Sequence, residues 1–232
     1  MSEPMIHVRD LTKTYYRGGE PLVVLDGLSL DMAKGDFNAL MGPSGSGKTT
    51  LLNVVGGLDE PDGGQALVAG EDVASLSGAD LSAWRARNIG FVFQGFNLIP
   101  VLSAYENVLL PLSLTPLSRR EQREHAMLAL ELVGLTERAK HRPKELSGGQ
   151  EQRVAIARAI ATDPQVILAD EPTGDLDRES ADQVLDLLER LNQELNKTIL
   201  MVTHDPLAAK HAHAIIHLDK GRLGRIERQD GD

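Results

Sequence analysis

The chain has 232 residues, 41 % of them hydrophobic, which is enough for one domain or two closely packed lobes. Its formal net charge of -10 and its 3 % content of aromatic residues argue against broad nucleic-acid binding, which depends on basic side chains at phosphates and on base stacking. Cysteine is missing, which excludes disulfides and thiolate metal sites and fits a reducing cytoplasm; we also expect neither a membrane helix nor a secretory signal.

Residues 5–35 have the pattern of β-structure. Ile6 and Val8 alternate with polar residues, and Leu28, Leu30 and Met32 repeat the alternation. Two pairs, Gly18-Gly19 and Lys34-Gly35, indicate turns in this segment. We therefore expect strands joined by tight turns.

A glycine-rich loop follows, reading Gly-Pro-Ser-Gly-Ser-Gly-Lys-Thr over residues 42–49. It lies between an apolar strand at 37–41 and an apolar helix start at 51–55, the context in which this pattern binds phosphates. Glycines let the backbone N–H groups turn towards the phosphates, and the helix adds its positive end. Lys48 is predicted to reach the β- and γ-phosphates of a nucleoside triphosphate, and the Thr49 hydroxyl to coordinate Mg²⁺.

The elements beyond this loop predict an α/β fold with a helical insertion. We expect strands at 65–68 (after a turn at 62–64), 89–93, 166–169 and 198–203, and helices at 119–133, about 150–161 and 180–195. Prolines 100, 111 and 116 indicate a loop before the first of these helices, and residues 227–232 are expected to fray. The strand, helix, strand order at 166–203 predicts a parallel sheet.

Polar side chains follow three of the predicted strands. Asp170 is placed to hold Mg²⁺ and Glu171 to polarise a water for attack on the γ-phosphate. His204 could sense that phosphate and orient the water or Glu171, and its alternative is a loop cap. Gln94 could ligate Mg²⁺ through its amide oxygen and act as a hinge, and its alternative is an ordinary strand-end residue.

The segment 146–150, Leu-Ser-Gly-Gly-Gln, discriminates best between functions. Ser147 can cap the following helix, and the glycines leave N–H groups free for an anion. Because the chain already has one phosphate loop, a second phosphate-binding helix end suggests that it serves the nucleotide of another copy. The alternative is a simple N-cap.

His211 and His213 form an H-x-H pair that we assign to a helix surface rather than to a metal.

These motifs, in this order, resemble the nucleotide-binding subunits of ABC transporters over nearly the whole chain. Gly42 to Thr49 resembles Walker A, Val166 to Asp170 Walker B, Leu146 to Gln150 the signature, and Leu176-Asp177 the D-loop. The resemblance implies ATP and Mg²⁺ as cofactors, Glu171, His204 and Gln94 (the Q-loop) as catalytic residues, and Thr49, Gln94 and Asp170 as metal ligands. It implies nucleotide contacts from Tyr15, Gly42, Pro43, Ser44, Gly45, Ser46, Gly47, Lys48, Thr49, Thr50, Ser147, Gly148, Gly149 and Gln150. Tyr16 competes with Tyr15 for stacking on adenine.

The resemblance also implies a fold, an assembly and a location. The expected fold is a P-loop NTPase of ABC type: a mixed sheet core with an antiparallel β subdomain (1–94 and 162–232) and a helical subdomain (95–161). A second copy of the chain should complete an ATP-sandwich dimer. Segments such as Phe96-Asn-Leu-Ile-Pro100 resemble the LolD–MacB branch, which implies an FtsX/MacB-like permease and a place on the cytoplasmic face of the inner membrane. Glu151, Asn38, Gly95 and Asp175 depart from the usual family pattern.

Four other classes of protein share parts of this pattern. An ABC ATPase that drives a cell-wall hydrolase through an FtsX-like permease fits the same motifs. DNA-repair ABC ATPases carry long heptad segments and tandem translation factors carry two phosphate loops, and this sequence has neither. A kinase would share the loop at 42–49 but would leave the segment 146–150 unexplained.

Overall fold

The computed structural model describes residues 4–229 and contains two β-sheets and seven α-helices in that range. The strands are β1 (Ile6–Arg17), β2 (Glu20–Met32), β3 (Phe37–Met41), β4 (Gly63–Val68), β5 (Glu71–Asp72), β6 (Ile89–Phe93), β7 (Val166–Asp170), β8 (Thr198–Val202), β9 (Ala214–Asp219) and β10 (Arg222–Arg228). The helices are α1 (Lys48–Val55), α2 (Gly78–Asn88), α3 (Ala104–Leu112), α4 (Arg119–Leu132), α5 (Gly148–Ile160), α6 (Arg178–Leu195) and α7 (Pro206–Ala209).

The larger sheet has six strands in the order β10-β9-β3-β8-β7-β6. All neighbours run parallel except β9 and β10, so the sheet is mixed, as expected. Its central strands are continuous apolar runs because both faces are covered. The register pairs Phe93 with Asp170, Asp170 with Val202, and Leu40 with Val202, so the carboxyl ends of four strands meet at one edge. That edge is where a ligand crevice forms in such sheets.

The smaller sheet is antiparallel, with the order β2-β1-β4-β5, and confirms the expected β subdomain. Alternate residues of β1 and β2 face a shared core with α1, which explains the alternating pattern in the sequence. The pairing of β1 with β2 shifts register between Lys13 and Thr14, so Val24 has no partner opposite it. A second core covers the other face of the large sheet with α3 to α6.

Residues 95–161 contain α3, α4 and α5 and no strand, and the exact extent of a helical subdomain stays a prediction. Two details of this region were predicted wrongly. Pro111 lies inside α3, not in a loop; it falls in the last turn, where its missing N–H removes only one helical hydrogen bond. Met127 and Leu130 stand at the spacing of one apolar helix face, which predicts that both are buried, yet Met127 is exposed and Leu130 is fully buried.

Other local predictions also need correction. Gly63 and Gly64 belong to β4 rather than to a turn, and α2 was not predicted. His211 and His213 follow the four-residue helix α7 and lie on no helix surface. Residues 227 and 228 belong to β10, while 230–232 lie outside the described range. No helix within residues 4–229 is long and apolar enough to cross a bilayer.

Candidate nucleotide-binding site

The loop between β3 and α1 forms a cradle at the carboxyl edge of the large sheet. Gly47 is the N-cap of α1 with φ +103°, and a Cβ there would lie 2.7 Å from the Val24 carbonyl oxygen, so only glycine fits. The Nζ atom of Lys48 donates to the carbonyl oxygens of Gly42 at 2.8 Å and Pro43 at 2.9 Å. A buried ammonium held at the rim of a loop with free N–H groups suits a polyphosphate.

A cavity of about 410 Å³ opens over this loop. Its lining residues are Leu22, Val24, Gly42, Ser44, Gly45, Gly47, Lys48, Thr49, Thr50, Glu171 and His204. The structure thus brings together the predicted phosphate loop and two of the predicted strand-end residues, Glu171 and His204. The residues Leu22 and Val24 of β2 were not predicted to be part of the site.

The predicted metal ligands Thr49 and Asp170 are neighbours. The Thr49 hydroxyl donates to Oδ1 of Asp170 at 3.3 Å. Burial raises the pKa of the Asp170 carboxyl above its ordinary value, and the negative charge of Glu171 raises it further. The Thr49 hydrogen bond and the positive charge of Lys48 lower the same pKa but do not cancel the rise. A hydroxyl and a half-buried carboxylate beside a phosphate loop are hard oxygen donors of the kind Mg²⁺ prefers, so these residues fit that ion.

Glu171 and His204 form a pair across the ends of β7 and β8. A carboxylate oxygen of Glu171 and Nδ1 of His204 share a short hydrogen bond. Glu171 has φ +50°, unusual for a residue with a Cβ, and its N–H donates to the Val202 carbonyl at 2.9 Å, which fixes that conformation. The carboxylate is therefore held at the cavity in one orientation, as a group that positions a water must be.

Gln94 lies at the end of β6 but does not line this cavity. Its Nε2 atom donates to Oδ1 of Asp175 at 2.8 Å, and a Cβ on Gly174 would lie 3.0 Å from the same nitrogen. This bond joins the loop after β6 to the loop after β7, and Asp175 is one of the residues that depart from the family pattern. The metal-binding role of Gln94 stays a prediction.

The segment 146–150 lies at the start of α5, as predicted, although the helix begins two residues earlier than expected. Ser147 Oγ accepts a hydrogen bond from the Gln150 N–H at 3.3 Å, and Gln150 Oε1 accepts one from the Ser147 N–H at 3.0 Å. Ser147 is exposed, and none of residues 147–150 lines the cavity over the phosphate loop of its own chain. Burial raises the pKa of the Glu151 carboxyl in the first turn.

Gly149 has a packing role that the sequence did not reveal. It is buried, and a Cβ there would lie 2.6 Å from the Ser180 hydroxyl oxygen and 2.8 Å from the Ser180 Cβ. Ser180 in turn donates its N–H and its hydroxyl to Asp177, the N-cap of α6. The absence of a side chain at 149 therefore lets the starts of α5 and α6 touch.

The structure separates the two candidate adenine contacts. Tyr15 pairs with Leu22, which lines the cavity, and neighbours directly opposite in an antiparallel pair point to the same face. The Tyr15 ring stands 5.2 Å from Lys13 Nζ, and its hydroxyl donates to Asp59. Tyr16 points to the other face of β1 and is three-quarters exposed. This placement favours Tyr15.

Comparison with known proteins gives a consistent result. The sequence profile described as ABC transporter matches residues 25–174. An ABC transporter ATP-binding protein of Methanocaldococcus jannaschii, MJ0796, is 46 % identical over 231 residues, which cover 98 % of each chain. The lipoprotein-releasing system ATP-binding protein LolD of Chromohalobacter salexigens is 45 % identical over 222 residues, 96 % of this chain and 94 % of that one.

Two further similar proteins are a longer polypeptide that includes a permease and a cassette whose structure is a dimer. The macrolide export ATP-binding/permease protein MacB of Syntrophobacter fumaroxidans is 48 % identical over 229 residues, and the match spans 98 % of this chain but 32 % of MacB. A dimeric structure of the MJ0796 cassette, in a post-hydrolysis state bound to ADP and Pi, is similar with a TM-score of 0.89. It is 43 % identical and covers 98 % of this chain and 100 % of the other.

Proposed function

Since the chain belongs to the ABC transporter family of ATP-binding proteins, which are ATPases, we propose that two copies meet head to tail around two Mg-ATP molecules and drive an FtsX/MacB-like permease. The observation that carries this proposal is that the phosphate-binding groups of one chain lie in two separate places. Lys48, Thr49 and Glu171 share one cavity, and the exposed start of α5 at Ser147 lies outside it. A second chain is the natural source of the missing contact.

Each residue of the site has a role in this proposal. Lys48 and the loop N–H groups bind the β- and γ-phosphates, and Thr49 and Asp170 hold Mg²⁺, which neutralises charge on the phosphates when it is bound. Glu171, oriented by His204, accepts a proton from the attacking water. Ser147, Gly148 and Gly149 of the second copy cover the γ-phosphate, so hydrolysis releases the contact between the copies.

The head-to-tail arrangement predicts that Ser147 acts on the nucleotide of the partner. Chains with Lys48→Ala and chains with Ser147→Arg should each be inactive, and mixing them should restore part of the ATPase activity, because one composite site is intact. Ser118→Arg is the matched control: Ser118 is also an exposed capping-box serine, at the start of α4, and its loss should weaken only that cap, by about 1 kcal/mol.

Cross-linking tests the same arrangement without relying on activity. The sequence has no cysteine, so thiols introduced by Ser44→Cys and Ser147→Cys are the only reactive ones. With ATP and a bifunctional thiol reagent, the doubly substituted chain should migrate as a covalent dimer. A reagent bridge formed only within single chains would contradict the trans arrangement.

We further propose that residues 94–112 bind a short cytoplasmic helix of the permease, on the cytoplasmic face of the inner membrane. Val101 is 72 % exposed and Ile99 is 40 % exposed, so two apolar side chains only two residues apart are open to solvent in this segment. Leu98 in the same segment is half-buried and packs against the helical core, so it is less available to a partner. A groove of about 910 Å³ beside Tyr105 and Met127 adds apolar surface to the same region.

Val101→Glu should therefore separate the ATPase from its permease. We expect at least a tenfold loss of binding to a co-expressed FtsX-like permease in detergent, with basal ATPase activity within about twofold, since Val101 does not line the nucleotide cavity. Leu114→Glu is the control, because Leu114 is 77 % exposed but lies outside residues 94–112. Tight, salt-sensitive DNA binding without permease binding would instead support the DNA-repair class.

A further inference from the structure

Gln152 is a buried polar residue that none of the sequence motifs assigned to the site. It lies in the second turn of α5, five residues after Ser147, and its side chain is inaccessible to solvent. Its Nε2 atom donates to the Phe93 carbonyl oxygen at 3.2 Å and to the Pro172 carbonyl oxygen at 2.5 Å. One amide group thus joins α5 to the end of β6 and to the loop that follows β7.

Those two carbonyls belong to the residues next to the proposed catalytic groups. Phe93 immediately precedes Gln94, and Pro172 immediately follows Glu171. The two loops also contact each other through the bond from Gln94 to Asp175. The position of Gln152 therefore sets how both loops lie relative to α5.

A second side chain of α5 holds the same loop further along. Arg158 donates to the Phe96 carbonyl at 2.9 Å and to the Asn97 carbonyl at 2.5 Å. Phe96 and Asn97 both have positive φ, at +52° and +51°. The segment after β6 is thus fixed to α5 on both sides of Gly95, and a displacement of α5 must move it.

The hydrogen bonding of Gln152 is one-sided. Its Oε1 atom is buried and accepts no hydrogen bond from the described part of the chain, whereas its NH₂ group bonds two carbonyls. A buried acceptor without a partner is unfavourable, so a methionine or leucine would fill this space better if packing were the only requirement. An apolar side chain, however, cannot donate hydrogen bonds to the carbonyl oxygens of Phe93 and Pro172.

We propose that Gln152 is a positioning residue that aligns Glu171 and Gln94 with the phosphate-covering end of α5. When Ser147 binds the partner's nucleotide, any displacement of α5 is passed to the loop that carries Glu171 of the same chain. It passes through one rigid helix turn and the Gln152 amide. This inference rests on the proposed function, because it needs Glu171 to be the base and Ser147 to act in trans. It adds to that proposal a positioning residue, Gln152, and a structural connection between Ser147 and Glu171 within one chain.

Gln152→Met tests the inference, since methionine has a similar length and volume but no donor. We expect kcat for ATP hydrolysis to fall at least tenfold while KM for ATP changes less than threefold, because the phosphate loop is untouched. The matched control is Ile156→Val, on the same helix and equally buried but without a polar contact. It should lower the melting temperature slightly and leave kcat and KM near wild type.

A second variant keeps the test decisive if Gln152→Met does not fold. Gln152→Asn retains the amide but shortens it by one methylene, so it cannot reach both carbonyls, and the same fall in kcat at constant KM is expected. Wild-type kcat in a folded variant, or equal changes in kcat, KM and melting temperature in Gln152→Asn and Ile156→Val, would overturn the inference.

The two proposals fail in different ways. Full turnover in Glu171→Gln would remove the base from the proposed function, and this inference with it. Wild-type turnover in Gln152→Met beside an inactive Glu171→Gln would overturn the role of Gln152 alone.

Discussion

Replacing Glu171 with glutamine is expected to reduce ATP hydrolysis by about a hundredfold or more while ATP still binds, since a general base contributes typically 10²–10⁴-fold. The amide has the shape of the carboxylate and can accept the same hydrogen bond from His204, and the backbone bond from residue 171 to Val202, which holds the left-handed conformation, is unchanged. It cannot take a proton from water. With Mg-ATP the variant should accumulate as a dimer, which size-exclusion chromatography would detect.

His204→Ala serves as the companion variant. It removes the partner of Glu171 but leaves the carboxylate, so hydrolysis should fall less than in Glu171→Gln. Normal turnover in Glu171→Gln would show that another group is the base, and His204 would be the next candidate. A monomeric elution profile in Mg-ATP, with ATP bound, would contradict the ATP-sandwich part of the proposal.

Lys48→Ala is expected to abolish productive ATP binding. Among the residues 4–229, Lys48 supplies the one buried cation that lines the cavity, and its ammonium would exchange its two loop carbonyls for the β- and γ-phosphates. A hydrogen bond to a charged group contributes about 1.5–3 kcal/mol, so losing two should weaken ATP binding by about 10²- to 10⁴-fold. Equilibrium titration with a fluorescent ATP analogue measures this directly.

Lys197→Ala provides the control for Lys48. Lys197 is equally buried and pairs with Asp163 at 2.6 Å, but it precedes β8, at the opposite end of the sheet from the cavity. Its loss should reduce the thermal stability of the chain and leave ATP affinity unchanged. If both variants lost ATP binding equally, a general loss of structure would explain the result for Lys48 better than a direct contact.

The strands that carry the site could be predicted because their burial is evident from the residue types within each strand. Val166–Asp170 and Thr198–Val202 are covered on both faces, which requires uninterrupted apolar residues, and the first polar residues after them fall at the crevice. The phosphate loop has a fixed local geometry and therefore a fixed spacing. The capping serine at 147 follows from the same kind of local rule.

What could not be predicted depends on contacts between distant parts of the chain. Gln152 bonds carbonyls 59 and 20 residues away, and nothing in its own helix indicates a buried amide. Leu22 and Val24 line the cavity because β2 passes beside the phosphate loop, where the Val24 carbonyl oxygen lies close to Gly47. The helix α2 is mostly polar and buries only Trp84 and Asn88, so its apolar periodicity is too weak to detect.

The contact between Gly149 and Ser180 restricts how this sequence can diverge. A side chain at 149 and the Cβ at 180 would occupy the same space, so the two positions are not free to vary independently. Glycine at 180 would make room, but it would remove the hydroxyl that donates to Asp177 at 2.8 Å and place glycine in the first turn of α6. Natural variants that carry alanine or serine at 149 should therefore carry glycine at 180, and an alignment of relatives would show the two substitutions occurring together.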